Sequence, residues 1–192
     1  MKLSNYIQEI QIHLIKTHSD IIDWFNETED LKNYRPIDNG WTVSEILEHI
    51  ALTSHFLLIL IDKGSGKALR NIKDLILENE LKSFSFDLNR INEIGLHKSF
   101  NWIRPLHMEP KGLKPEAEVK DELIIQLNRC LNQLEILKNG EGLLYKTTMS
   151  VNELGKINVY EYIYFLSQHA QRHIQQMREN KTEKESRTAN TM

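Results

Sequence analysis

Four long stretches of the chain carry apolar residues with the 3.6-residue period of an amphipathic helix, and this pattern limits the fold more than any other feature. The stretches lie at residues 5–27, 43–62, 116–138 and 159–178. Breakers are scarce, since 192 residues include 8 Gly and 4 Pro, so helix is favoured over sheet. The pattern predicts an all-α fold of the four-helix bundle class.

Two of the four stretches begin with a capping signal. Thr42 and Glu45 have the spacing of a capping box, in which each residue bonds the other's backbone N–H, and Asn158 and Glu161 repeat that spacing. Gly64 follows a lysine, where a C-terminal glycine belongs, and is expected to end the second helix.

The connection between the second and third helices is long. Within it, residues 67–82 predict a short additional helix and residues 100–115 a loop. Antiparallel neighbours need only about 2–8 connecting residues, so this length predicts a crossover between helices two and three. Residues 1–178 are expected to form one domain, and the polar residues 179–192 a tail that frays.

Composition excludes several functional classes. The net charge of −3 gives no basic surface for nucleic acid or for an anionic membrane. The longest apolar run, residues 56–61, is far shorter than the ~20 residues that span a bilayer. The single cysteine, Cys130, rules out an intrachain disulfide and lies in the apolar arc of its helix, where a thiol is inert. We expect a cytoplasmic protein that binds neither nucleic acid nor membrane.

Histidine is the one unusual residue type, with eight in the chain. On the last helix, His169 and His173 lie about 40° apart at ~100° per residue, on the flank of the apolar arc. His49 lies on the inward side of the second helix. His55 falls in a polar strip with Ser44, Glu48 and Asp62 that is expected to face solvent. The opposite face of the last helix, which includes Glu161, Gln168 and Arg172, is also expected to be solvated.

Three inward imidazoles from two helices are the minimum ligand set of a divalent metal site that keeps an open position. Burying them without a shared partner would cost desolvation energy three times. The alternative interpretation is that they are histidines at the edge of the core, bonded to neighbouring polar groups.

Three segments resemble the DinB/YfiT-like superfamily. GWTVSEILEHIALTSHFLL (40–58) is similar to the Trp-x-x-x-Glu-x-x-x-His opening of its second helix. ELGKINVYEYIYFLSQHAQRHIQQM (153–177) is similar to its last helix, with the H-x3-H-x2-Q ending. MEPKGLKPEAEVKDELIIQLNRCLNQL resembles its entry into helix three.

The resemblance implies a four-helix bundle with a long crossover between helices two and three. It also implies a divalent metal ion, zinc or nickel, held by His49, His169 and His173. Members include thiol-dependent S-transferases and isomerases that use bacillithiol or mycothiol, and metal-dependent hydrolases. Members often form homodimers. Segment 66–115 is longer here than in compact members, and the resemblance leaves the substrate open.

Catalysis at such a site would need residues that orient the substrate or move protons. Tyr162, Gln176, His107 and Glu109 are candidates, although each also has a purely structural interpretation. The sequence lacks H-E-x-x-H, because Ala170 follows His169. We expect either a metal-dependent thiol S-transferase or a metal-dependent hydrolase acting on a small molecule. The alternatives are a non-catalytic metal-binding module and a structural dimeric bundle without metal.

Overall fold

A computed structural model describes residues 2–72, 76–102 and 105–189, and within these ranges the chain is mostly helical, as predicted. The helices are α1 Leu3–Trp24, α2 Glu29–Lys32, α3 Val43–Asn71, α4 Leu77–Ser83, α5 Asn89–Asn92, α6 Glu116–Ile136 and α7 Val159–Ala189. A small hairpin of two strands, β1 Lys146–Met149 and β2 Gly155–Asn158, precedes α7.

The four long helices correspond to the four periodic stretches and pack on one another. Both α1 and α3 contact α6 and α7. Their apolar arcs bury two clusters of side chains, one around Tyr6, Leu58 and Tyr160 and the other around Trp24, Ile50 and Ile174. The histidine-bearing parts of α3 and α7 lie alongside the second cluster.

Both predicted capping boxes are present. The Thr42 hydroxyl accepts from the Glu45 N–H at 3.2 Å, and the Glu45 carboxylate accepts from the Thr42 N–H at 2.8 Å. The Asn158 and Glu161 side chains exchange equivalent bonds at 3.1 and 2.8 Å. These caps fix where α3 and α7 begin, and therefore the positions of their histidines along the two helix axes.

The second long helix does not end at Gly64, as the sequence predicted. α3 continues to Asn71, and Gly64 lies inside it where another chain segment approaches closely. A Cβ at this position would lie 3.3 Å from Cγ2 of Val159. Close packing, rather than a helix end, therefore explains this glycine. The helix predicted at 67–82 is replaced by the end of α3 and by α4, and residues 73–75 lie outside the described residues.

The hairpin is a small element that the sequence did not predict, within a chain that is mostly helical. Its strands pair antiparallel, with Lys146 opposite Asn158 and Met149 opposite Gly155. Each strand has four residues, and neither KTTM nor GKIN shows the apolar alternation that indicates a strand. Pairing across the turn, which no single segment reveals, stabilises this element.

The polar C-terminal segment is helical where the structure describes it. α7 continues without a break from residue 178 to Ala189, so the predicted tail does not start at a helix end. Asn180 is buried and donates to the Trp41 carbonyl at 2.8 Å, and Lys181 pairs with Glu27 at 2.7 Å. Residues 190–192 of the predicted tail lie outside the described residues.

Three polar residues of the α7 face that we expected to be solvated are buried instead: Glu161, Gln168 and Arg172. The crossover around residues 88–100 packs over Gln168 and Arg172. Gln168, for example, donates to the Asn92 side chain at 3.2 Å. Periodicity identified the apolar face of α7 correctly but did not reveal that a second segment covers the opposite face.

Among the described residues, one helix, α3, is long and apolar enough to cross a membrane by length and composition. Most of its apolar window is buried inside the fold, against α6 and α7. This burial fits the core helix of a soluble protein.

Candidate metal centre

The structure brings together the three histidines that the sequence singled out. His49 projects from α3, and His169 and His173 project from successive turns of α7. One ring nitrogen of each lies within 4.8 Å of the others, and the Nε2 atoms of His169 and His173 are 3.1 Å apart. All three side chains are buried, with at most 9% of any one exposed. Metal binding by this cluster stays a prediction.

Hydrogen bonds orient two of the three rings. Nδ1 of His49 is 2.6 Å from the Met108 carbonyl, and Nδ1 of His173 is 2.9 Å from Oε1 of Gln176. Because a carbonyl oxygen only accepts, we assign the proton to Nδ1 in both rings. In this tautomer Nε2 of each ring carries a lone pair that can bind a cation, an arrangement typical of metal-ligating histidines.

The third ring lacks such a partner. Nδ1 of His169 is buried and has no hydrogen-bond partner among the described residues. Its Nε2 atom faces Nε2 of His173, and because the proton of His173 is on Nδ1, His169 must donate from Nε2 when no cation is bound. A divalent ion would instead accept both lone pairs, so the donor set fits a metal ion of the type that imidazole prefers.

Burial keeps the histidines of α7 neutral. Burial, and after it the nearby His49 ring, lower the pKa of His173 to about 3. The pKa of His169 is also well below its ordinary value, because the ring is buried and lies beside His173 and His49. Both imidazoles are therefore unprotonated at neutral pH, the form in which histidine binds a metal.

The histidines open onto a cavity of about 450 Å³. Cavities of roughly 300–1,000 Å³ are typical of small-molecule sites. The walls combine aromatic and polar side chains from three parts of the chain, among them Trp41, Phe100, Trp102, Met108, Arg172 and Gln176. The crossover supplies one wall.

Two tryptophans, Trp41 and Trp102, line this cavity. The Trp41 ring centre is 4.6 Å from that of His49, and the Trp102 ring centre is 5.4 Å from that of His169. Phe100 stacks on Trp102 at 5.3 Å. Both tryptophans lie outside the periodic stretches, so helical periodicity gave no signal for them. They form aromatic surfaces beside the imidazoles.

Glu48 is buried, contrary to the prediction that it belongs to a solvated strip. Its carboxylate accepts from the backbone N–H groups of Lys111 and Gly112 at 3.2 and 2.7 Å. His49, the next residue, bonds the Met108 carbonyl of the same segment. Two consecutive residues of α3 therefore fasten residues 108–112 of the crossover beside the site.

Arg172 is a second residue that sequence reasoning placed wrongly. Its side chain is 7% exposed and lines the cavity instead of facing solvent. The guanidinium donates to the Leu96 carbonyl, to the Ser99 hydroxyl at 3.2 Å and to the Phe100 carbonyl at 3.3 Å. It also lies 4.8 Å from the centre of the Phe100 ring.

The candidate catalytic residues are not equally close to the histidines. Gln176 contacts His173 and lines the cavity. The Tyr162 hydroxyl instead points to the Thr148 carbonyl of β1 at 3.4 Å, away from this cavity. His107 is exposed and packs on Phe56, with ring centres 4.5 Å apart. Neither His107 nor Glu109 is among the described residues that line the cavity.

His55 and Cys130 lie where the sequence indicated. His55 is exposed, and Cys130 is buried, which raises the pKa of its thiol to about 12 and leaves it unreactive. Two further histidines were not predicted to take part in a site. His13 packs beside Tyr164, away from the histidine cluster, whereas His97 lines the cavity and its Nδ1 contacts Glu179 at 2.9 Å.

Comparison with known families agrees with the fold and the histidine cluster. A sequence model of the DinB superfamily matches residues 14–177, which include α3, α6, the three histidines and most of α7. The chain therefore belongs to the DinB superfamily, as the resemblance of its segments indicated. Searches of curated proteins and of solved structures found no match.

Proposed function

We propose that this protein is a divalent-metal-dependent enzyme that acts on a small molecule, with thiol S-transfer as its reaction and zinc or nickel as its metal. One observation carries the proposal: three buried, converging imidazoles face a cavity of about 450 Å³. Buried donors serve a structural metal equally well, but a structural site is closed, whereas this one adjoins space for a reactant.

Three neutral histidines would leave a divalent ion its full charge and an exchangeable position, where it would acidify a bound water or thiol. The protein's own residues supply the rest of the site. Met108 and Gln176 hold the rings of His49 and His173 by their Nδ1 protons. The aromatic rings of Trp41 and Trp102 shield the imidazoles from bulk water.

The lining of the cavity favours thiol transfer over hydrolysis. Among the described residues that line it, none carries a carboxylate. Activation of water commonly uses such a general base, whereas an ionised thiol is itself the nucleophile. Metal-dependent hydrolysis is the second candidate, and His97 is the cavity-lining residue that would then serve as base.

We further propose a four-helix bundle in which the crossover between α3 and α6 separates the second and third long helices. The mutual contacts of α1, α3, α6 and α7 support this arrangement. We also propose that residues 1–178 form one domain and that the protein acts in the cytoplasm. A homodimer is a further proposal, and the resemblance to the superfamily supports it.

Turnover assays test the proposed reaction. Metal-loaded protein is incubated with bacillithiol, mycothiol or cysteine plus an alkylating electrophile, and separately with ester and amide panels. We expect thiol consumption that is lost in His173→Ala and kept in His55→Ala, because His55 is exposed. Ester or amide turnover alone would favour hydrolysis. Metal-loaded protein that is inactive in every assay would favour a non-catalytic metal-binding module.

A further inference from the structure

Arg172 is a buried cation whose described partners are all neutral. The Leu96 and Phe100 carbonyls and the Ser99 hydroxyl accept three of the five N–H donors of a guanidinium. Among the described residues, no carboxylate pairs with it. An arginine is seldom buried to this degree without an anion, because desolvating its charge is costly.

The described lining of the cavity also carries basic side chains, Arg172 and Lys98, without acidic ones. Lys98 is already paired, since its ammonium lies 2.8 Å from a Glu179 carboxylate oxygen. One positive charge, that of Arg172, therefore remains without a counter-ion at the cavity wall.

Arg172 also lies close to the histidine cluster. Its guanidinium carbon is 5.5 Å from the centre of the Trp102 ring, and that ring is 5.4 Å from the His169 ring. Arg172 and the three histidines line the same cavity. A ligand group bound at Arg172 would therefore lie beside the imidazoles.

We infer that Arg172 binds a carboxylate group of the small-molecule substrate, so that the enzyme selects monoanionic substrates. A guanidinium pairs with a carboxylate through two parallel N–H···O bonds, and one unpaired charge matches a monoanion. The aromatic rings of Phe100 and Trp102 would contact the body of that substrate. This inference rests on the proposed function only in taking the cavity as the substrate site.

The test uses metal-free full-length protein, so that neither a metal ion nor turnover contributes. Benzoate and benzamide have nearly the same shape and differ in charge, and binding of either next to Trp41 and Trp102 is read from tryptophan fluorescence. We expect wild-type protein to bind benzoate about tenfold more tightly than benzamide, the size of effect that a charge-assisted hydrogen bond gives. Equal affinity for the two probes would overturn the inference.

Variants separate the charge of Arg172 from its structural bonds. In Arg172→Gln, the preference for benzoate should fall to about onefold, whereas Arg172→Lys should retain a several-fold preference because the charge is kept. Arg178→Gln should leave the preference unchanged, since Arg178 is exposed and is not among the described residues that line the cavity. A preference that survives in folded Arg172→Gln, or one that is lost in Arg178→Gln, would contradict the assignment.

The wild-type ratio and the lysine variant keep the inference testable even if Arg172→Gln does not fold, because both retain the cation. The outcome is also distinct from that of the turnover assays. If the protein prefers benzoate but shows no turnover, the anion site is supported and the proposed reaction is contradicted. If it shows turnover but no preference for benzoate, the reaction is supported and the anion site is contradicted.

Discussion

At the scale of single residues, the chemistry of the site depends on which nitrogen of each imidazole faces inward. Gln176 determines this for His173, because its Oε1 accepts from Nδ1 at 2.9 Å. Met108 does the same for His49 through its backbone. The sequence suggested Gln176, three residues after His173, but gave no sign of a backbone acceptor that comes from a segment 59 residues away.

Replacing Gln176 with Ala should weaken metal binding without unfolding the protein. The His173 ring would lose the acceptor that fixes its tautomer, and loss of such an outer partner typically costs about 10–100-fold in metal affinity. Competition with a chelating dye measures this affinity. Gln171→Ala, on the same helix but not at the cavity, is the matched control. Equal affinities for the two variants would contradict this role of Gln176.

The low pKa values of the buried histidines predict how stability depends on pH. The pKa of His173 is lowered from 6.5 to about 3, and that of His169 is also lowered, so the unfolded chain binds more protons in this range. The contribution to stability is fully present above pH 6.5 and is lost as the pH falls towards 3.

Urea unfolding of metal-free protein at about pH 7 and about pH 5.5 tests this dependence, because over this range the imidazole becomes protonated in the unfolded chain and stays neutral in the folded one. We expect the wild type to lose more stability between the two than His173→Gln, which cannot take up that proton. The same loss in both proteins would show that His173 titrates normally in the folded state.

At the scale of elements, the crossover supplies one wall of the cavity beside the histidines of α3 and α7. Periodicity located α3, α7 and their inward histidines from the sequence alone. It assigned Glu48 and Arg172 to solvated faces, because a helical wheel represents one helix in water and not the segments that fold over it. Residues 88–102 and 105–112 lack helical periodicity, and their positions depend on tertiary contacts with those buried polar groups.

Glu48 should be required for holding the crossover in place. In Glu48→Ala, the N–H groups of Lys111 and Gly112 would lose their acceptor, at a cost of about 1–3 kcal/mol for each group that stays buried. Because His49 bonds the same segment, metal affinity should fall together with the free energy of unfolding. Urea unfolding and dye competition measure the two quantities.

Glu135→Ala is the control for this variant, because Glu135 is an exposed residue of α6 that pairs only with a nearby lysine. It should change neither quantity appreciably. If Glu48→Ala lost stability but kept wild-type metal affinity, Glu48 would support the fold alone and not the orientation of His49.

At the scale of the whole molecule, the histidine cluster joins parts of the chain that are far apart in sequence. His49 comes from α3, whereas His169 and His173 come from α7, and more than a hundred residues separate them. The capping boxes at Thr42 and Asn158 determine where the two helices begin. The packing of α3 against α7 then brings the imidazoles together. The cluster is therefore a consequence of the whole fold.

The most direct test of this account is the metal content of protein purified without a histidine tag, measured by mass spectrometry after loading with zinc or nickel and removal of excess ion. We predict about one divalent ion per chain in the wild type and in His55→Ala, because three converging histidines form one site. His49→Ala, His169→Ala and His173→Ala should each bind far less. A wild-type content near zero, or one that none of the three substitutions changes, would contradict the assignment of this cluster as a metal centre.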